Sequence, residues 1–297
     1  MTLTGANAAR RATGHTSHRR RERSVTSSPT SYLCRMEIAL ELPRSVLLAL
    51  WLGGDGAGRG PLLHAVQSDD EPHLVRFEPT ADEPVRDDLT TRPLSALLDV
   101  LEPGPRETAT VLPAPGDLGA TPAAVSAAAT DAGEAVLVRT GHTSVVAVPV
   151  VERFGSDLEP GHMVTWEVTA VSDWRQAVHA HTGSLTEAER DLRQGLLQAT
   201  EALQRLDVAR WRPDAAEAIV ALRDIGLPAW RLPDSLDGRA VRVLTSAARL
   251  RAIVMLAAQD DGAAVNLWQA DQRSTALRDV DRMARRAMAA AATTLTG

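Results

Sequence analysis

Lysine is absent from this chain, and cysteine and tyrosine occur once each, as Cys34 and Tyr32. Every residue after Arg35 therefore lacks the amine that forms Schiff bases or holds phosphate in phosphate-binding loops. The same residues lack the thiolate that serves as a nucleophile or as a zinc ligand. A GC-rich codon bias accounts for the missing lysine, but the absences exclude these chemistries whatever their cause.

Long hydrophobic runs are also absent. The longest candidate, residues 46–52, is far shorter than the run of about 18 apolar residues that a membrane-spanning helix needs. With 297 residues, 44% apolar and 24% charged, the composition is typical of a soluble globular protein with one large or two ordinary domains. We therefore expect a bacterial-type cytoplasmic protein with no membrane contact.

Charge is distributed unevenly along the chain. Residues 1–35 contain seven arginines and one acid, Glu22, whereas the remainder contains 25 arginines and 37 acids. A body with a net charge of −12 repels phosphate backbones, so nucleic-acid binding is expected only from the tail, if anywhere. Residues 1–35 are rich in Arg, Ser and Thr and poor in apolar residues, which predicts a disordered basic tail.

Several interpretations of the tail remain open. The sequence from Met36 onward is typical of the start of a folded region, so we favour an over-extended start for residues 1–35. An organellar transit peptide and a basic nucleic-acid arm around residues 18–23 are the alternatives. A secretory signal is excluded, because residues 24–31 are polar where an apolar segment is required.

The hydrophobic pattern predicts an α+β fold: an N-terminal mixed domain with a small sheet and short helices, followed by an all-α helical bundle. The mixed domain covers residues 36–172 and the bundle residues 173–297. Strands are predicted from Val-rich or alternating segments at residues 74–77, 135–139, 144–151 and 163–171. Helices are predicted at residues 45–52, 93–101 and 122–132, the last with Thr121 as its N-cap.

After residue 173 the pattern is helical. Ser184 and Glu187 form a capping-box sequence that opens a helix to about residue 209. Its apolar stripe is predicted to comprise Leu185, Leu192, Leu196, Ala199, Leu203 and Leu206. Further helices are predicted at residues 213–225, 237–259 and 263–292, and short connections favour antiparallel packing.

A glycine-rich segment, residues 53–60, is the one place to look for a phosphate cradle. It has Arg59 and Gly60 where a phosphate-binding loop needs lysine and a hydroxyl residue, and it lacks the glycine spacing of a dinucleotide site. We interpret it as a flexible loop. No cofactor is predicted.

The histidines and acids give weak signals. One polar stretch follows a predicted helix and contains His64, Asp69, Asp70, Glu71 and His73. It suits a metal or acid–base site, but a solvated turn is the simpler interpretation. His179 and His181 lie two residues apart, and on a helix such side chains diverge, which is wrong for one metal ion. We therefore predict no metal site, and the catalytic residues, if there are any, stay unknown.

Other candidate groups are ordinary on sequence grounds. His142 and His162 are interpreted as turn or edge histidines, and Glu152 and Glu167 as solvent-facing strand residues. No serine lies in the nucleophile-elbow pattern. Six tryptophans outnumber the other aromatic residues: Trp51, Trp166, Trp174, Trp211, Trp230 and Trp268. Most are expected in the core, with Trp174, Trp211 and Trp268 anchoring the bundle; Trp230, between two prolines, is the best candidate for an exposed contact residue.

The last helix carries alternating charges, with Asp281 and Arg285 at a favourable spacing of four. This pattern is typical of a solvated face or of a docking face for a partner helix.

The functional hypothesis rests on these exclusions. We predict a non-catalytic protein–protein interaction or regulatory protein, with the helical half as the surface for a protein partner or for self-association. One alternative is a hydrolase-type or metal-assisted enzyme using His and Asp or Glu of the N-terminal domain. A second is a nucleic-acid-associated protein acting through the arginine-rich tail.

Overall fold

A computed structural model describes residues 40–54, 58–78, 91–101, 104–156, 159–205, 213–258 and 267–295. Six strands form one sheet: β1 (Leu74–Phe77), β2 (Arg92–Pro93), β3 (Arg106–Val111), β4 (Ala135–Thr140), β5 (Thr143–Gly155) and β6 (Pro160–Ala170). Their order across the sheet is β2-β1-β6-β5-β4-β3. Neighbours are antiparallel except β1 and β6, which are parallel, so the sheet is mixed.

The helices before the last strand are short, and those after it include three long ones. The first group is α1 (Arg44–Gly53), α2 (Arg59–Gln67), α3 (Ser95–Val100) and α4 (Ser126–Ala132), the last preceded by a 3-10 turn at Ala123–Val125. The second group is α5 (Arg175–Thr182), α6 (Leu185–Arg205), α7 (Pro213–Ala221), a 3-10 turn at Ala229–Arg231, α8 (Gly238–Ala258) and α9 (Leu267–Ala292). The predicted α+β class is confirmed.

Helix α1 is apolar around its whole circumference, and all residues from Ser45 to Leu52 are buried. Such a helix is stable only when neighbours cover every side. One side packs on strands β3 and β4, and another contacts α2 and α9. Helix α1 therefore lies between the sheet and the two helices α2 and α9.

Each face of the sheet has its own apolar core. On the α1 face, side chains such as Val138, Ala147 and Trp166 belong to a large cluster that also includes residues of α6, α8 and α9. On the opposite face, Val146 and Val148 belong to a smaller cluster with residues of α4 and α5. The predicted boundary at residues 172–173 falls between β6 and α5, and the larger core extends across it.

The long helices α6, α8 and α9 pack on one another. Apolar residues that recur at helical spacing in α8 (Val243, Ala247, Leu250, Val254, Ala257) and in α9 (Leu277, Val280, Ala284, Ala287, Ala291) are buried. The all-helical C-terminal bundle is thus seen in part, because residues 206–212 and 259–266 lie outside the described residues. Within the described part of the chain, no helix is long and apolar enough to cross a membrane.

Helix α6 confirms one prediction and corrects another. The capping box is present: Glu187 Oε2 accepts the Ser184 N–H at 2.7 Å. The predicted stripe is wrong at Leu196, which is 53% exposed, because Gly195 occupies the contact position instead. A Cβ at Gly195 would lie 3.2 Å from Leu250 and 3.3 Å from Met283, so the glycine permits close approach of α8 and α9.

Two local predictions differ from the structure. Strand β3 was not predicted, and its residues Glu107, Thr108 and Thr110 are polar yet buried. Thr121 is not a helix N-cap: its hydroxyl donates to the carbonyl oxygen of Leu118 at 2.6 Å, and the 3-10 turn at residues 123–125 precedes α4.

The glycine-rich segment is mostly helical where it is described. Gly53 ends α1, Arg59 and Gly60 open α2, and residues 55–57 lie outside the described residues. A Cβ at Gly53 would lie 2.5 Å from Thr108 Oγ1 and 2.8 Å from Thr294 Oγ1. The end of α1 therefore fits against β3 and the segment after α9 only without a side chain.

We expect Gly53→Ala to destabilise the protein by about 1–3 kcal/mol, because both threonines are held by backbone bonds and have little room to move. The matched control is Gly60→Ala, where a Cβ would meet nothing within 4 Å. That change is expected to raise the free energy of unfolding by up to about 1 kcal/mol. Urea unfolding of both variants is the measurement, and equal stability of Gly53→Ala and the parent chain would contradict the tight fit.

Candidate functional site

A cluster of polar side chains surrounds Asp70, at the turn between α2 and β1. Asp70 Oδ2 accepts a hydrogen bond from Arg44 Nε at 2.7 Å and lies 3.1 Å from His73 Nε2. Its other oxygen, Oδ1, lies 3.4 Å from Nδ1 of His162 on β6. The Asp70 side chain is 12% exposed and that of His162 is 37% exposed, so the cluster opens to solvent at His162.

The ring of His73 is fully buried and bonded on both sides. Trp166 Nε1 donates to His73 Nδ1 at 3.2 Å, so Nδ1 is an acceptor and Nε2 carries the proton given to Asp70. Burial lowers the pKa of His73 below its ordinary value, and the bond to Asp70 only partly offsets this. Burial alone would raise the pKa of Asp70, but the bonds from Arg44 and His73 outweigh it, so the pKa is lowered. At neutral pH the ionised carboxylate of Asp70 therefore accepts a hydrogen bond from the neutral imidazole of His73.

The structure brings together only part of the predicted polar stretch. Asp70 and His73 are in contact, whereas Asp69 and Glu71 are exposed. His64 instead packs against Trp230, with ring centroids 4.8 Å apart. Among the described residues, no group of three His, Cys, Asp or Glu side chains is arranged to hold a metal ion.

The remaining candidates lie apart from one another. His142 is exposed in the β4–β5 turn. His179 and His181 both lie within α5, where the first is exposed and the second is half-buried. Glu167 forms an ion pair with Arg76 at 3.1 Å. Glu152 pairs with Met163, which lies four residues before Glu167 on β6, so the two carboxylates are far apart along the strands. The two glutamates therefore do not form a catalytic pair.

Beyond their pairing with β4 and β1, strands β5 and β6 continue as a two-stranded ribbon, formed by residues 149–155 of β5 and 160–164 of β6. Antiparallel partners point to the same face, so Val150, Met163 and Phe154 share one face of this ribbon. They are 38%, 45% and 44% exposed, although the same face of the sheet is covered further along by α4 and α5. We call this surface the ribbon face.

The ribbon also has an open edge. Strand β5 pairs with β4 from Thr143 to Ala147, and beyond this point no described residue pairs with its outer edge. The ring of Phe154 lies directly over Gly161, where any Cβ would clash with it. The glycine therefore lets an aromatic ring lie flat on the ribbon while almost half of it stays in solvent.

The tryptophans correct one prediction and support another. Trp174 is buried in the smaller core against the sheet and not in the bundle, because α5 packs on β3 to β5. Trp211 lies outside the described residues, and so does the side chain of Trp268. Trp230 is 49% exposed beside Arg231, as predicted for a contact residue.

The charged face of α9 is not wholly solvated. Asp281 bonds Arg285 at 2.7 Å, which confirms the predicted pair of residues four apart. Arg285 is only 7% exposed, and it also donates to the carbonyl oxygen of Leu112 and to Asp117. The loop after β3 therefore covers part of this face.

The fold and these surfaces define a mixed α+β protein whose sheet shares one core with a layer of long helices. Residues 45–182 match the N-terminal domain model of the Rv1486c-like protein family, and residues 186–289 match the C-terminal domain model of the same family. The two matches span about four-fifths of the chain, which therefore belongs to the Rv1486c-like family. No curated protein and no solved structure matches the chain.

The buried imidazole gives the protein a pH-dependent stability. Since the folded pKa of His73 lies below its unfolded value, the unfolded chain takes up this proton first, and stability falls as the pH drops below about 6.5. Between about pH 7 and about pH 5 we expect a loss on the order of 1 kcal/mol from this residue, and a smaller loss in His73→Gln, which cannot titrate.

The measurement is urea unfolding as a function of pH. The control is His142→Gln, which changes an exposed imidazole and is expected to keep the pH dependence of the parent chain. Identical pH profiles for His73→Gln and the parent would show that His73 does not contribute.

Proposed function

We propose that this chain is a non-catalytic protein–protein interaction or regulatory protein whose main contact surface is the ribbon face with the adjoining edge of β5. The observation that carries the proposal is the exposure of Val150, Phe154 and Met163 on an extension that the protein's own helices leave uncovered. Exposed apolar side chains grouped on one face are typical of interaction sites, whereas single ones are not.

The geometry fits an extended segment of a protein partner better than a helix or a small ligand. Added to the outer edge of β5, such a strand would bond backbone groups along that edge and place alternate side chains beside Val150 and Phe154. Pro149 lacks an N–H, so the useful edge begins after it and covers residues 150–155. Because the body of the chain is acidic, a basic partner segment is favoured.

The helical half is a second part of the proposed surface. We take the helices after residue 173 as one bundle, which the mutual packing of α6, α8 and α9 supports. Leu197 on α6, Met255 on α8 and Trp230 are 68%, 62% and 49% exposed, respectively. These residues suit a protein partner or self-association, while a cytoplasmic location stays a prediction.

A photo-reactive amino acid at position 152 tests the ribbon face in living cells of the source organism. Glu152 is exposed on the same face as Phe154, so its replacement samples whatever covers the ribbon. We expect one defined protein adduct, and we expect Phe154→Ser to reduce its yield by about tenfold, because the change removes the largest apolar contact.

The control is Val100→Ser, which removes an apolar side chain of similar exposure, 49%, on α3. Its adduct yield is expected to match that of the parent. An adduct of twice the chain mass would identify the partner as a second copy of this chain. No adduct, or equal loss in both variants, would contradict the proposal.

A second candidate function is a hydrolase-type enzyme, favoured by the contact between His162 and Asp70. A partly exposed imidazole beside a largely buried carboxylate is suited to general-base catalysis. The metal-assisted form has less support, because the described residues provide no group of three metal ligands. The arginine-rich tail, on which a nucleic-acid role depends, lies outside the described residues.

Hydrolysis of p-nitrophenyl acetate and p-nitrophenyl phosphate by the purified chain tests this candidate. An enzyme that uses the pair would lose turnover by at least about a hundredfold in His162→Ala. His142→Ala, which removes an exposed imidazole elsewhere, would keep its turnover. If the two variants and the parent hydrolyse these esters at the same rate, the pair is structural.

A further inference from the structure

A concavity lies between the end of α5, residues 285–289 of α9 and the loop that follows β3. It is partly open to solvent and has a cavity volume of about 20 Å³, which is the space of about one or two water molecules. Its polar lining comprises Thr110, Asp117, His181, Thr182, Arg285 and Arg286. None of these residues belongs to the ribbon face or to the cluster around Asp70.

The wall of the concavity is fixed by buried ion pairs. Arg285 bonds Asp281 at 2.7 Å and Asp117 at 3.0 Å, and Arg282 lies 3.5 Å from Asp117. The side chain of Arg285 is only 8% exposed and is therefore held rigidly. A guanidinium held in this way places its positive charge beside the concavity without filling it.

Among the described ion pairs around the concavity, one arginine has no acidic partner. Three acids, Asp117, Asp279 and Asp281, are shared among three other arginines. Arg285 bonds Asp117 and Asp281, Arg282 bonds Asp279 at 3.2 Å, and Arg251 lies 3.3 Å from Asp281. Arg286 also lines the concavity, is exposed, and forms no hydrogen bond or ion pair within the part of the chain that the structure describes. Its charge is the one that an anion in the concavity would neutralise.

The imidazole of His181 faces the same space. Gly119 has φ +61°, and a Cβ there would lie 3.2 Å from His181 Nε2, so the loop backbone approaches the ring closely. Burial lowers the pKa of His181, the charges of Arg286 and Arg285 lower it further, and Asp117 opposes them. The ring is therefore neutral at neutral pH and gains a proton when a negative charge is brought near.

We propose that this concavity binds an oxyanion, the phosphate or carboxylate group of a small ligand, between the Arg286 guanidinium, the His181 imidazole and the Thr182 hydroxyl. The fixed charge of Arg285 supports the bound group from behind. Binding tightens as the pH falls through the pKa of His181, because the protonated ring is a second charged donor. The site is separate from the ribbon face, so each is tested without the other.

The test is an NMR titration of the full chain with inorganic phosphate, with acetate as the second arm, followed through the imidazole resonances of His181. Phosphate is expected to shift these resonances saturably and to raise the pKa of His181. Arg286→Ala is expected to weaken binding by about tenfold or more. The control is Arg278→Ala, another exposed arginine of α9, whose bonds within the described residues go to Ser274 and Thr275 of its own helix.

The outcomes separate the alternatives. Stronger response to acetate than to phosphate would assign a carboxylate ligand, and the reverse a phosphate ligand. His181→Gln, checked for unchanged unfolding free energy, is expected to bind acetate with no dependence on pH between about 7 and about 6, where acetate itself stays ionised. The proposal fails if neither anion shifts the His181 resonances, or if Arg278→Ala weakens binding as much as Arg286→Ala does.

Discussion

The rest of the structure depends on the burial of α1. A helix that is apolar on every side contributes much of the core, but burial also removes water from the backbone groups at both of its ends. At the start, Glu134 Oε2 accepts the Ser45 N–H at 2.7 Å, and burial raises the pKa of this carboxyl. Near the end, Thr108 Oγ1 donates to the Ala49 carbonyl at 3.1 Å. Both partners come from the β3–β4 region, so the sheet completes the helix.

The same helix relates the core to the surface. Arg44, its first residue, reaches out to Asp70 and thereby fixes the turn that leads into β1. Trp51, near its other end, donates to the carbonyl oxygen of Arg231 at 2.8 Å and so positions the segment that exposes Trp230. The polar cluster and the exposed tryptophan are consequences of one buried element. By contrast, the ribbon face lies where the sheet extends past the elements that cover it.

The sequence was sufficient to predict those elements whose buried residues are the apolar ones. Strand β1 and the stripes of α8 and α9 follow from periodicity, and the capping box from Ser184 and Glu187. Strand β3 was missed because its buried residues are polar: Thr110 bonds Ser45 and Ala135, contacts that no local pattern reveals. The candidate site around Asp70 was predicted only in part, as the stretch that contains Asp70 and His73, for a related reason. Asp70 and His162 lie far apart in sequence, and only the parallel pairing of β1 with β6 brings their strands together.

One small feature affects how the chain is made. After α9, Thr294 exchanges backbone hydrogen bonds with Thr108, at 2.9 and 2.8 Å, and its side chain lies against the end of α1. A ribosome releases residue 108 long before residue 294. Until then, β3 and the end of α1 lack this neighbour, and the apolar surface that α9 covers stays accessible. The packing of β3 and the end of α1 is therefore completed only after the last helix has left the ribosome.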